Sequence, residues 1–574
     1  MPPKLLRAAA AAFMLSVPMS SAWAVTPDIM GDYSESGSYL AGRTAAKLRD
    51  GEAATEYLGK ALEADESNPG LIERLFLIHL ADGDIPQAEK MAERVLSFNS
   101  QQRMARIVLG LRDFRARHYA DARRNFGAAS YTPIGELTSV LLEAWSWAGE
   151  GELTPALKAL DRLDDNDSFG NFKTFHTALI ADYLGNNIRA EAAYKKAYEQ
   201  AATSLRVVQA YGNFLERNKR PDEALKIYTA YMAGGDDNPL IAAAIASLKA
   251  GNKPHALVPT PNAGAAEALF SLATAMTDDQ SMDVGLVYAQ LALSMNGDKP
   301  VIYTLIGDIN ENMKRPQEAI DAYSQIPETS PLRVNAEMEI AVNLQRLDRK
   351  DDALKALKNV EAQNPSNYDV LVTLGNLQRN NEDFKGAAET YDKAIATIKD
   401  LQPGNWRIFY YSGIAYERLN QWDKAEKQFR EALKLSPNEP MVLNYLGYSM
   451  VDKKINLPEA MGMIKQAVGL KPNDGYIVDS LAWAYFRQGD YDLALINSER
   501  AVDLLPYDPI IAEHLGDVYW RVGRTLEAKF QWQHAKDNKP EPDDLKRIED
   551  KLKNGLPDDP DLKPAQNGTT QNNG

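Results

Sequence analysis

A spacing of thirty-four residues runs through this 574-residue chain and limits its fold more than any other feature. Small residues stand at Ala54, Ala88, Ala122, Ala156, Ala190 and Ala224, each 34 from the last. Twelve residues before each lie Gly42, Phe76, Gly110, Ala144, Ala178 and Gly212, in the same step. The series resumes at Gly285, Ala319, Ala353 and Ala387. It continues at Ala425, Ala460, Ala494 and Ala528, with steps of 38, 35, 34 and 34. A fixed period of this length means a stack of like units, each too small to bury an apolar face alone. Fourteen units can be counted.

Some units carry more of the pattern. One has Leu109-Gly110, Tyr119, Ala122, Phe126 and Ala129; another has Leu374-Gly375, Phe384, Ala387, Tyr391 and Ala394. A third has Gly413, Tyr416, Trp422, Ala425, Phe429, Ala432 and Pro437, and a fourth Leu515-Gly516, Tyr519, Gly523, Ala528, Trp532 and Ala535. These residues match the tetratricopeptide repeat. Each unit then forms two short amphipathic helices in an antiparallel hairpin. The Gly or Ala at the eighth position and the Ala at the twentieth lie where the two helices approach most closely. The aromatic four residues after that Ala is one helical turn on and fills the gap to the next hairpin. The expected fold is all-α: a right-handed superhelical solenoid of about fourteen tetratricopeptide hairpins with a C-terminal capping helix.

One interval departs from the period. From Ala224 to Gly285 is 61 residues, less than two steps. Pro239 to Gly251 still reads as a first helix, but three prolines follow between Lys253 and Asn262 and stop it. The stretch 239–264 is read as a degenerate unit and joint between a six-unit array at 38–238 and an eight-unit array at 265–540. The joint is an irregular turn ordered by its neighbours, or alternatively a hinge. Residues 541–554 read as the capping helix, with Leu545, Ile548 and Leu552 on one face. Residues 25–37 are expected to be loose and 555–574 to be disordered.

The first 24 residues read as an export signal. Lys4 and Arg7 precede an apolar run from Ala8 to Val17, and Ala22-Trp23-Ala24 fits a small-x-small cleavage site before Val25. An uncleaved anchor is the alternative. The expected location is the periplasm. The chain has no Cys, which excludes disulfides, thiolate metal sites and a lipid-bearing cysteine, so a lipoprotein is not expected. No later run is long and apolar enough to span a bilayer, so no transmembrane segment is expected after signal cleavage. A net charge of −16, or −18 once Lys4 and Arg7 are removed, argues against nucleic acid as a partner.

No nucleotide, hydrolase or metalloprotease motif is present, so neither an enzyme nor a cofactor is expected. His514 and His534 fall on the two helices of one unit, but ordinary partly buried histidines account for them better than a metal pair does. Asp164-Asp165-Asn166-Asp167 begins like a calcium loop, but counting Asp165 as the first position, the fifth is Phe169 and the twelfth is His176. It is better read as a solvated turn.

The informative positions are those the repeat itself does not need. Relative to the eighth position, residues at −6, −3, +1, +4 and +5 of each first helix face the inner, concave side. The last three units place Met441, Asn444, Tyr448, Val451 and Asp452 there, then Tyr476, Asp479, Trp483, Phe486 and Arg487, then Ile510, Glu513, Asp517, Trp520 and Arg521. Asn can pair with a peptide backbone, aromatics offer apolar area, and Arg offers forked donors. The candidate partner-binding residues are Asn444, Tyr448, Asp479, Trp483, Arg487, Asp517, Trp520 and Arg521, expected to face solvent in the free protein. Packing of these aromatics between helices is the competing reading.

The stretches Asn444-Tyr445-Leu446-Gly447-Tyr448, Asp474 to Trp483 and His514 to Trp520 resemble a large family of exported proteobacterial tetratricopeptide proteins. That wider group includes periplasmic adaptors that hold a carboxyl-terminal processing protease and deliver peptidoglycan hydrolases to it. Those adaptors are lipoproteins, and this chain lacks the cysteine for that. The resemblance implies a non-enzymatic scaffold that binds other proteins or peptides in the cell envelope. A module assisting exopolysaccharide synthesis or secretion is the alternative.

Overall fold

The structure is a computed structural model that describes residues 34–48, 50–163, 169–234, 238–276, 278 and 281–557. The export signal, the 164–167 turn and the tail beyond 557 lie outside these residues. Among the described residues there are thirty α-helices and no strand.

Six hairpins come first: α1 (Glu35–Lys47) with α2 (Gly51–Ala64), α3 (Pro69–Ala81) with α4 (Ile85–Phe98), α5 (Arg103–Arg115) with α6 (Tyr119–Gly127), α7 (Pro133–Gly149) with α8 (Leu153–Leu160), α9 (Gly170–Tyr183) with α10 (Asn187–Gln200), and α11 (Leu205–Arg217) with α12 (Pro221–Ala233). A lone helix, α13 (Pro239–Lys249), follows. Eight more hairpins complete the series: α14 (Pro261–Thr274) with α15 (Met282–Ser294), α16 (Lys299–Asn312) with α17 (Pro316–Ser324), α18 (Arg333–Arg346) with α19 (Lys350–Gln363), α20 (Tyr368–Asn380) with α21 (Phe384–Thr397), α22 (Trp406–Arg418) with α23 (Trp422–Leu435), α24 (Pro440–Asp452) with α25 (Leu457–Leu470), α26 (Gly475–Gln488) with α27 (Tyr491–Leu504), and α28 (Pro509–Arg521) with α29 (Thr525–Asp537). The capping helix is α30 (Pro542–Asn554). The fold is an all-α tetratricopeptide solenoid.

The repeat shows in the packing. The twentieth-position alanines from Ala54 to Ala528 are wholly buried. At the eighth position, a Cβ on Gly110, Gly375 or Gly413 would fall 2.4 to 2.6 Å from a ring carbon of Phe126, Tyr391 or Phe429. The aromatic therefore fills the crossing of its own hairpin first, and the ring then reaches the next one. Phe429 lies 5.3 Å from Tyr445, and Tyr194 lies 5.7 Å from Tyr211. Turns within hairpins recur too, with left-handed residues at Gly83, Arg117, Gly151, Gly185 and Lys219. Such a residue ends one helix and lets the next fold back.

The described residues form two compact units that divide between Val360 and Glu361. In the first, the proline-rich stretch is neither a boundary nor a bare linker. Val258 is buried, and Thr260 caps α14, with its hydroxyl accepting from the Ala263 amide at 3.1 Å. Pro261 starts the helix, where its missing N–H costs nothing. The hairpin α14–α15 then turns back onto the first helices of earlier hairpins. Gly264 meets the Trp145 ring of α7, and the Tyr288 and Thr138 hydroxyls are 2.8 Å apart. The Gln290 amide donates to the Ala81 carbonyl at 3.3 Å. Arg206 of α11 forks onto Glu267 of α14, both nearly buried, and also reaches Asp298 at 3.2 Å. The inner side of the first unit is thus covered by its own chain. The arrays expected at 38–238 and from 265 are not separate, because the Gly and Ala residues of α14 allow a close approach to Trp145.

Both ends are more ordered than expected. Ser34 caps α1 by accepting from the Gly37 amide at 3.1 Å, so the helix begins at Glu35. At the other end, Gly555, Leu556 and Pro557 continue past α30 and pack against the second unit, although the sequence gives them loop chemistry.

Candidate functional site

The second unit lines up α24, α26 and α28 as successive first helices. Asp474 caps α26, accepting from the Ile477 amide, and Asp508 caps α28, accepting from the Ile510 and Ile511 amides at 2.9 and 3.0 Å. With starts fixed one repeat apart, like positions come into line. Asn444, Asp479 and Glu513 occupy the −3 position, and Tyr448, Trp483 and Asp517 the +1 position.

Several of these side chains lie deeper than expected. Asp479 is 0% exposed, Asp517 3% and Tyr448 9%, so they do not face solvent in the free protein. Neighbouring first helices pack closely enough to bury Tyr448 and Asp479, and α30 covers the last hairpin with Glu513 and Asp517 beneath it. Asn444, Trp483, Arg487, Trp520 and Arg521 are half-buried.

Asp479 and Trp483 meet through a residue that the sequence assigned no role. His514 Nδ1 is 2.8 Å from Asp479 Oδ2, and the His514 ring stacks on Trp483 with centroids 4.1 Å apart. Trp483 also stacks on Phe486 at 4.9 Å. Burial disfavours a charged His514, but Asp479 outweighs it, helped by Glu513 and Asp517, and holds the imidazole above the usual histidine value. Burial pushes the Tyr448 phenol well up, and the charges of Asp479 and Asp452 add to this. His534 turns elsewhere, to the Pro506 carbonyl at 2.7 Å, so the two histidines of this hairpin do not converge. Among the described residues no group of three acidic or histidine side chains could hold a metal ion.

Asp517 belongs to a second network. It accepts from Trp532 Nε1 at 2.9 Å and from Lys551 Nζ at 2.8 and 2.6 Å. Lys551 also donates to Glu513 at 2.7 Å, and Arg547 forks onto the same Glu513. Glu513 and Asp517 are four apart on α28, and Arg547 and Lys551 four apart on α30, so one turn of each helix faces one turn of the other. Burial opposes ionisation of Glu513, but Arg547 and Lys551 hold it below the usual carboxylate range. Asp517 is raised, because burial outweighs Lys551 and the charge of Glu513 adds to it. The matching four-residue spacings were visible in the sequence, but nothing there said that the capping helix would bring its basic side to this face.

Two acceptors are left over. Asn444 Oδ1 and Asp479 Oδ1 are buried and have no hydrogen-bond partner among the described residues. They occupy the same position one hairpin apart. A buried acceptor without a donor costs about 1–3 kcal/mol, and neither oxygen is reachable from the surface. Trp520 and Arg521 meet the chain's own end, where Gly555 lies on the Trp520 ring and Arg521 Nη2 donates to the Pro557 carbonyl at 2.7 Å.

Comparison with known proteins agrees on the repeat. Residues 338–405 and 406–439 match models of the tetratricopeptide repeat. A Pseudomonas aeruginosa protein, TPR repeat-containing protein PA4667, is 26% identical over 214 residues, which are 37% of this chain and 35% of that one. The bovine BBSome complex member BBS4 is 31% identical over 129 residues, 22% of each chain. The chain thus spans about a third or less of the length of these curated relatives. Among solved structures, a tetratricopeptide repeat protein from Parabacteroides merdae is similar at 14% identity with a TM-score of 0.39, covering 45% of this chain and 98% of that one. Tetratricopeptide repeats indicate a protein-binding scaffold, and the fold is generally non-catalytic. No helix among the described residues is long and apolar enough to cross a membrane.

Proposed function

We propose that this chain is a non-enzymatic adaptor of the bacterial cell envelope, and that it holds partner proteins through an extended peptide laid along α24, α26 and α28. The carrying observation is the half-buried row of Asn444, Trp483 and Arg487 at inner positions of α24 and α26, which brings an amide, an indole and a guanidinium to the surface on successive first helices. An amide and a guanidinium suit the carbonyls of an extended peptide, and the indole supplies apolar area. The resemblance of 443–532 to exported tetratricopeptide proteins supports a binding scaffold in the envelope, and a processing protease and peptidoglycan hydrolases are the partners proposed for it.

The test is capture from envelope extract, with partners identified by mass spectrometry. Asn444→Ala with Arg487→Ala removes two polar contacts while leaving the buried Asp479–His514 pair intact. Capture should weaken by about 2 kcal/mol, roughly thirtyfold, with melting nearly unchanged. Undiminished capture by the folded variant would rule this face out. In the same fractionation the protein should be recovered from the periplasm and begin at Val25; recovery of intact Met1 would rule out a cleaved signal.

A further inference from the structure

The strongest unassigned feature is the three-residue strap that follows α30. Its turn is built for one residue type: Gly555 has φ 80° and ψ 177°, a conformation open essentially to glycine alone. A Cβ there would also fall 2.4 Å from the Trp520 ring. Leu556 then packs against the cluster of Phe486, Tyr491, Ala494 and Val518. The Pro557 carbonyl accepts from Arg521 at 2.7 Å. An aliphatic side chain in an apolar slot, followed by a main-chain carbonyl on an arginine, is how a surface grips an extended peptide.

We propose that this slot between α26 and α28 is a peptide-binding site for an extended segment with a leucine-sized side chain followed by an open backbone carbonyl. In the free protein it is occupied by the chain's own Gly555–Pro557, which partner segments must displace. This rests on the reading of the inner face as a partner surface and names both its ligand class and its regulation. The strap is short and holds by one side chain and one hydrogen bond, so it is suited to exchange. A site occupied nine-tenths of the time by its own strap binds a competitor about tenfold more weakly than an open one.

The experiment uses the full chain and a fluorescent synthetic peptide of residues 553–564, measured by anisotropy. Leu556→Asp removes the apolar anchor, and Gly555→Ala forbids the turn while leaving every slot residue in place. Both variants should melt as the parent does and bind the peptide about tenfold more tightly than the parent. A peptide with the same Leu→Asp change should bind none of the chains measurably. Equal binding by all three chains, no binding by any, or a gain in only one variant would overturn the proposal. The outcomes separate from the wider reading because no extract is involved. Peptide binding with capture unaffected by Asn444→Ala and Arg487→Ala would leave the slot standing and the adaptor reading refuted. Loss of capture without peptide binding would do the reverse.

Discussion

Lys551→Met is the sharpest test of how the second unit is closed. Lys551 is almost wholly buried and donates to three carboxylate oxygens on Glu513 and Asp517. Methionine keeps the length and apolar stem but removes the charge. Glu513 keeps its fork from Arg547, whereas Asp517 keeps only the Trp532 indole N–H. Breaking a buried pair from one side costs about 3–5 kcal/mol. The surviving indole bond and the option of protonating Asp517 place this case at the low end, about 3 kcal/mol. A stacked array opens from its ends, so the loss should appear locally rather than as one global transition.

Hydrogen exchange by mass spectrometry on peptides from α28 and α30 reads this directly. Protection there should fall roughly a hundredfold, with α20–α23 unchanged. Adding Asp517→Asn should restore most of it, because the orphaned charge is gone while the indole keeps an acceptor. The pH dependence has a definite sign. The folded-state pKa of Asp517 is already raised, so its contribution is present at low pH and is lost as pH rises through that value. Lys551 pulls that pKa down, so its removal raises the value further. The deficit of Lys551→Met should therefore be largest above the raised Asp517 value and shrink as pH falls through it. Wild-type protection in Lys551→Met, or no recovery with Asp517→Asn, would refute the account.

Gly375→Leu should lower stability by about 2–4 kcal/mol in thermal or urea melts, since the new side chain must displace the Tyr391 ring 2.5 Å from its Cβ. Arg206→Ala should cost about 3–5 kcal/mol by stranding the buried Glu267, and should expose 261–294 to limited proteolysis. By NMR, His514 should titrate above the ordinary histidine value, and Asp479→Asn should lower its pKa. The stability given by this pair is complete below about pH 6.5 and fades as pH rises through the raised value. His176, wholly buried with its pKa lowered to about 3, should show no titration between about pH 5 and 8.

The hairpins were legible in the sequence because close helix crossings demand small residues at fixed intervals. Ala54 and Ala528 obey the same steric rule, and Gly413 accommodates Phe429 as Gly110 does Phe126. The covering of the first unit was not legible. The pattern of α14 and α15 is that of any hairpin, and only the long-range meeting of Arg206 with Glu267 tells where they go. The candidate site was half legible. Position along the repeat put Asp479 and Trp483 on the inner side, but in a stack of close helices such positions also lie between neighbours, and Asp479 is buried there. His514 lies one residue after a −3 position, so the inner-face rule passed over it, yet it joins both. Leu556 was missed because Pro, Asp and Asn around it read as tail, and one glycine turn suffices to seat it.

The two units cover their inner sides at very different energies, and this decides where a partner can enter. Opening the first unit would expose Trp145 and Tyr288, both fully buried, and would separate Arg206 from Glu267. At about 2–3 kcal/mol for each ring, the two rings alone cost about 4–6 kcal/mol, while water re-solvates the separated ion pair. That is half or more of the binding free energy of a micromolar complex, about 8 kcal/mol, so a partner of that affinity leaves α14–α15 in place. The strap on the second unit is one half-buried leucine side chain and one exposed hydrogen bond to an arginine, and a site filled nine-tenths of the time costs only about 1.3 kcal/mol to open. A ligand repeating those two contacts recovers that cost as it binds. Any further contact with the half-buried Asn444, Trp483 or Arg487 is then net gain, which is why the second unit, and not the covered first one, is the face on which exchange is affordable.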